Sequence, residues 1–318
     1  MEISLPKNCY EKNLYDLLIL LGGGNGHDTV TIDFSNVHMY PPGATVLLLS
    51  KIRAWKEDDK NVSYVNHESC RGFQYLQRVD FFNNLGLNLE ENFVRHPTDN
   101  RFLPLVKIGH DGRHDADKLA DEIAGCIFPP VGDYTSETNG PADAIEYSVS
   151  EMIKNVSQHS SGTGFVGAQY YQATDLIRVA IGDTGIGILE SFQQSGSPFY
   201  NQYMSDLDAI NLAIKPKVSS KTHQMSMWGE SENSGVGLTL IKRLAEILDG
   251  NFCIISGCGF YSSSGNSLSI PENKRYKGTL CAMTFKRSKI TNFVNLLQQA
   301  KNDLGLLKQC CQLEGAFL

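Results

Sequence analysis

The sequence predicts a mixed α/β and α+β protein in two parts. A small layered α/β domain covers residues 1–95, and an α+β domain with a mainly antiparallel sheet covers residues 114–287. Three observations carry this prediction. Strand-like and helix-like patterns alternate through the first part, the order expected of a layered α/β unit. A hairpin pattern at 164–182 and three strand-like runs near the other end belong together as an antiparallel sheet. A chain of 318 residues is also long for one domain and comfortable for two.

Residues 8–21 have the spacing of a short amphipathic helix, and Gly22-Gly23-Gly24-Asn25-Gly26 reads as a flexible connector. A phosphate loop would end in Gly-Lys-Ser/Thr and lead into a helix, whereas His27, Asp28 and a strand follow here. From Thr29 to Phe34 the residues alternate, with Val30, Ile32 and Phe34 on one face. After Tyr40-Pro41-Pro42-Gly43 a helix runs from about Ala44 to Glu57, with leucines on its buried side. Val62–Val65 reads as a second strand, and a helix over 72–84 is closed by Gly86.

Residues 96–113 turn polar and carry Pro97 and Pro104, which marks a linker, although Phe102–Ile108 is extended enough to join the second sheet. A helix over 114–128 stops at Pro129-Pro130, and Pro141 opens the next at a position where a missing N–H is harmless. The hairpin 164–172/176–182 turns near Thr174-Asp175. Residues 188–234 read as irregular except for a helix around Met204–Ile214. A helix from Gly235 to about Leu248, strands at 252–256, 259–262 and 279–286, and a tail helix within 288–318 complete the chain.

The bulk numbers are those of an ordinary globular protein: 41% hydrophobic, 20% charged, net charge −7. The acidic balance argues against nucleic acid as a partner. The apolar run Leu17–Leu21 is too short for a leader or a membrane span. Eight cysteines without zinc-site spacing read as reduced thiols in a cytoplasm.

The chemistry concentrates in residues 151–187. Glu151, Asn155 and His159 are four residues apart, so all three lie on one helix face, opposite Met152, Ile153 and Val156. The apolar run Ile177–Ile181 then ends in Gly182-Asp183-Thr184-Gly185-Ile186-Gly187. That pattern sets a fixed carboxylate beside backbone that a ligand can approach closely. Taken without any ligand, the same residues are an amphipathic helix and an Asp-Thr-Gly turn.

Glu151-x-x-x-Asn155 and Asp183-x-Gly185-x-Gly187 resemble the N box and G1 box of the GHKL ATPases, which include gyrase, histidine kinases and the anti-sigma-factor serine kinases. Ser234-Gly235-Val236-Gly237-Leu238 resembles their G2 box, and Lys277-Gly278-Thr279 their late Gly-Thr element. The resemblance implies a Bergerat-type α/β sandwich, with helices on one face of a mixed, mainly antiparallel sheet, binding ATP and Mg²⁺.

In this scheme Asp183 accepts from the exocyclic amine of adenine, where guanine presents an oxygen. Asn155 ligates Mg²⁺. Glu151 orients or deprotonates the attacking group. Gly235 and Gly237 offer helix-start N–H groups to phosphate, next to Ser234, Val236 and Leu238. Thr279 lies near the adenine, and His159 is either a phosphate contact or structural. Lys217, Ser220 and Lys221 fall in the lid.

The first domain, through VTIDFSNV, the leucine-rich helix and LQRVDFFNNLGL, resembles a STAS domain. Antagonist members of that family carry a phosphorylatable hydroxyl in the turn before the helix. Here that turn is Pro41-Pro42-Gly43-Ala44, with Thr45 offset into the helix. The combination implies a cytoplasmic regulatory protein with slow ATPase or protein kinase activity. The alternative is a non-catalytic, ATP-gated scaffold. A protein partner would be recruited through the STAS-like domain or the tail helix, and a homodimer is compatible with either reading.

Overall fold

The computed structural model describes residues 1–95, 101–108, 116–127, 141–156, 162–218, 236–265, 267–290 and 292–306. Two sheets organise them. Strands β1 (Glu2–Ser4), β2 (Thr29–Asp33) and β3 (Asn61–Val65) form a parallel sheet in that order, with Ile3 opposite Ile32 and Ile32 opposite Tyr64.

The larger sheet contains β4 (Phe102–Ile108), β5 (Gly164–Tyr171), β6 (Leu176–Asp183), β7 (Phe252–Gly257), β8 (Gly259–Ser262), β9 (Ser267–Ser269) and β10 (Tyr276–Lys286). Its order is β4-β5-β6-β10-β7-β8-β9, and every neighbouring pair is antiparallel. Strand β4 lies inside the polar stretch 96–113 and forms the edge next to β5.

Alternation along β6 sets the two faces of the larger sheet. Ile177, Val179 and Ile181 point to a layer made by α5 (Ala116–Ile127), α6 (Pro141–Asn155), α9 (Gly237–Ile247) and α10 (Phe293–Asp303). Met152, Ile153 and Val156 of α6 and Leu240, Ile241 and Leu244 of α9 fill that core. The tail helix α10 packs on α9, and Arg243 pairs with Asp303 at 2.6 Å.

The opposite face meets the first part of the chain. Helix α2 (Pro42–Glu57) has thirteen of its 16 residues buried, because it lies between both sheets. Gly43, Val46 and Ser50, spaced to share one helix face, meet Ala282 and Gly182 of the larger sheet. The small residues at the contact bring helix and sheet close. A Cβ on Gly182 would stand 2.9 Å from Val46 and 3.0 Å from the Ser50 hydroxyl.

One hydrophobic cluster therefore runs from Ile3, Ile32 and Leu47 through to Ala180, Ile255 and Ala282. The leucine-rich face expected for this helix is in fact wider, and over Val46–Leu49 the helix is apolar on every side. Val46, Leu47, Leu48 and Leu49 are consecutive and each is at most 1% exposed. Each such side chain contributes about 1.5–3 kcal/mol of burial.

Four local expectations need correction. Gly22–Gly26 is not a flexible connector but a 3-10 helix packed on the turn Glu272–Lys274. A Cβ on Gly22 would come within 2.7 Å of Lys274 Cβ, and the Asn25 amide donates to the carbonyls of Asn273 and Arg275. The helix over 72–84 is broken into α3 (Phe73–Arg78) and α4 (Phe81–Leu85), because Asp80 is left-handed at φ +57°. Its carboxylate accepts from Asn83 and Arg95 there. Region 188–234 holds an additional helix, α7 (Ile188–Gln194), before α8 (Asp206–Ala213). The first helix is shorter than expected, α1 (Leu14–Leu21), and is preceded by the unforeseen β1. No helix among the described residues is long and apolar enough to cross a membrane.

Candidate functional site

Asp183 is the last residue of β6 and 1% exposed. Parity with Ile181 puts it on the helix-layer side of the sheet. Its Oδ1 accepts from the Gly185 N–H at 2.8 Å, which tightens the turn. Two segments distant in sequence clamp this turn. On one side Thr184 N–H donates to the Thr163 carbonyl at 3.0 Å, and Thr163 N–H to the Thr184 hydroxyl at 3.2 Å. On the other side Gly278, at φ +94°, presses so close that a Cβ there would overlap the Asp183 carbonyl and lie 2.7 Å from its Oδ1.

Gly187 caps α7, whose first N–H, on Ile188, donates to the Ser256 hydroxyl at 2.8 Å. Ser256 also lies 3.3 Å from the Gly278 carbonyl and 3.2 Å from the Thr279 hydroxyl. This buried serine joins the Asp-x-Gly-x-Gly turn to the Gly-Thr element, and sequence reasoning missed it. The available signal was a hydroxyl ending the apolar run Phe252–Ile255, on the same parity as Ile254. The Asp183 charge is felt nearby. The Tyr276 phenol is raised above its usual value and the Cys281 thiol to about 12, by burial first and Asp183 second.

The second group sits at the α6–α9 contact. Glu151, half-buried on α6, brings its carboxylate to the start of α9, where a Cβ on Gly237 would be 2.5 Å from Oε2. Val236 is the N-cap of that helix and buried, and Leu238 packs at the edge of the core. Tyr147, one turn before Glu151, has its phenol raised by burial and then by the Glu151 charge. Asn155 ends α6, but its side chain lies outside the described residues, as do His159, Ser234, Gly235, Ser220 and Lys221. Lys217 is exposed, with φ +64°.

The structure thus brings Asp183, Gly185 and Gly187 together with Gly278 and Thr279, and separately Glu151 with Val236 and Gly237. The Asp183 side chain and the Glu151–Gly237 contact lie on the helix-layer side of one sheet. Among the described residues no group of three or more His, Cys, Asp or Glu side chains could hold a metal ion.

The end of α2 also reaches the site, a contact that nothing in the sequence suggested. The Thr184 hydroxyl donates to Glu57 Oε1 at 3.1 Å, and Lys277 pairs with Asp58 at 3.0 Å and Glu57 at 3.7 Å. Such part-exposed ion pairs are worth at most about 1 kcal/mol each, so they orient the segment more than they hold it. No protein-family model matches the chain, and no curated protein does either.

Proposed function

We propose that the larger sheet and its helix layer bind Mg²⁺·ATP, and that the chain is a cytoplasmic regulatory protein that turns ATP over slowly or transfers its γ-phosphoryl group. One observation carries this reading. A buried carboxylate ends a central strand with glycine backbone on both sides of it, and a hydroxyl pair, Ser256 and Thr279, stands beside it. A fixed acceptor in a glycine-walled site suits an exocyclic amine such as that of adenine.

Glu151 supplies a second argument. Its carboxylate already stands at the start of α9, where free N–H groups favour an anion. A polyphosphate approaching the same helix start meets like charge, so binding there needs a divalent cation between the two. Asn155, one turn further along α6, is the residue to hold it, as a neutral oxygen donor to an ion that keeps several waters. ATP supplies the transferable phosphoryl group, and Glu151 orients or deprotonates the acceptor.

The reading as an ATP-gated scaffold draws support from the Thr184–Glu57 hydrogen bond, which ties the Asp183 turn to the first part of the chain. Because α2 is covered by both sheets, a partner protein would meet the first part on its other surfaces. Calorimetry with ATP and GTP in Mg²⁺ tests the site. ATP should bind and GTP should not, and Asp183→Asn should cost about 1.5–3 kcal/mol of ATP affinity. Equal affinity for the two nucleotides would remove Asp183 from this role.

A further inference from the structure

A cleft of about 380 Å³ lies between the C-terminal half of α2 and the backbones of 185–187 and 276–278. It borders the candidate nucleotide site through Gly185, Gly187 and Gly278, but neither Asp183 nor Thr279 lines it. Its volume falls in the range of small-ligand sites.

Two of its lining residues carry buried polar groups with bonding capacity to spare. Lys51 is 2% exposed, and among the described residues its ammonium makes one hydrogen bond, to the Arg275 carbonyl at 2.8 Å. An ammonium has three donors, so two are left for something else. The Tyr276 hydroxyl is buried without a hydrogen bond among the described residues. The Ser50 hydroxyl stands close enough to ease its pKa slightly, yet it falls short of bonding geometry. Leaving such donors unfilled is costly in a protein interior.

Trp55 forms an apolar wall, with the Lys51 ammonium 5.9 Å from its ring centroid. Arg275 and Lys277 line the cleft with Asp58 and Glu190, but Lys277 pairs with Asp58 and Arg275 with Glu272, which leaves the Lys51 ammonium as the cation for one small anionic group.

We propose that this cleft binds a small organic oxyanion, a carboxylate or a phosphate monoester, with Lys51 Nζ as the charged donor and the Tyr276 hydroxyl as a second. Such a ligand would touch α2 on one side and the outside of the Asp183–Gly187 turn on the other.

The chain has two tryptophans, so in a Trp228→Phe background Trp55 alone reports on the cleft. The full chain is titrated with sulfate, standing in for phosphate monoesters, and with malonate, standing in for carboxylates, at ionic strength held constant with chloride. A saturable change in Trp55 emission is expected with one or both, and the anion that works identifies the ligand class. Lys51→Met should weaken binding roughly tenfold or more, the size of one charge-assisted hydrogen bond, and Tyr276→Phe several-fold.

Burial holds Lys51 at about 7, with Asp58 raising it and Lys60 and Lys274 lowering it further. Sulfate, whose charge is constant from pH 6 to 8.5, should therefore bind more tightly at pH 6. No saturable response to either anion, or unchanged affinity in Tyr276→Phe, would overturn the proposal. Tyr276→Phe decides the matter if Lys51→Met does not fold.

Discussion

Replacing Gly278 by alanine tests the clamp on Asp183 directly. Two costs add. The residue sits at φ +94°, where an L side chain costs roughly 1–2 kcal/mol. The new methyl would also overlap the Asp183 carbonyl and lie 2.7 Å from its carboxylate, so backbone has to move. Over-packing of that kind costs typically about 1–3 kcal/mol. The sum is about 2–5 kcal/mol.

Gly265 provides the control. Its φ is +108°, and a Cβ there meets nothing within 4 Å, so Gly265→Ala carries only the backbone term. Urea unfolding of both variants, with m unchanged, isolates the clash as the difference in midpoints. Gly278→Ala should be the weaker by about 1–3 kcal/mol and should also lose ATP affinity. If the two variants unfold together, Gly278 does not press on Asp183 and the clamp does not exist.

Three further outcomes are expected. Lys51, held at about 7 when folded, has an unfolded value of about 10.4, so its burial penalty is full below pH 7 and fades as pH rises toward 10. Lys51→Met should therefore raise the urea midpoint most at pH 6, with an advantage that shrinks above pH 7. A pH-independent gain would contradict the burial. Thr45 and Ser50 are 1% and 0% exposed, and Thr45 donates to the Pro42 carbonyl at 3.1 Å. Peptides covering 42–57 should carry no label after incubation with γ-labelled ATP, whereas stoichiometric label there would mean that α2 opens. Glu151→Ala should keep ATP affinity within a few-fold while turnover falls roughly 10²–10⁴-fold, and Asn155→Ala should lose both. Full turnover in Glu151→Ala would end its role as a base.

The larger sheet was largely legible because its main strands, β5, β6 and β10, are long apolar runs. The hairpin 164–183 and the pairing partner β10 carry apolar residues on both faces, bounded by turn residues such as Asp175 at φ +54°. The short β1, Glu2–Ser4, is too brief for any period to register. Helix α2 held its own clue. Four consecutive apolar residues, Val46–Leu49, cannot share one face, so a second apolar neighbour was implied, yet nothing local says which one.

Gly22–Gly26 misled for a physical reason. Glycine permits both looseness and close approach, and only the partner segment, 272–275, distinguishes them. In the site, the strand-end and helix-start positions of Asp183 and Gly237 followed from local pattern. Ser256 and Glu57 did not, since their roles depend on strands and helices that meet only in three dimensions.

The double covering of α2 bears on how the chain is made. The helix is complete at Glu57, but the strand that finishes its second wall, β10, ends at Lys286. At about 5–20 residues per second on the ribosome, its apolar flank waits for roughly 10–45 s before that wall is complete. During synthesis the emerging N-terminal segment is a sticky surface in need of shelter, and fragments ending before β10 keep that surface for good.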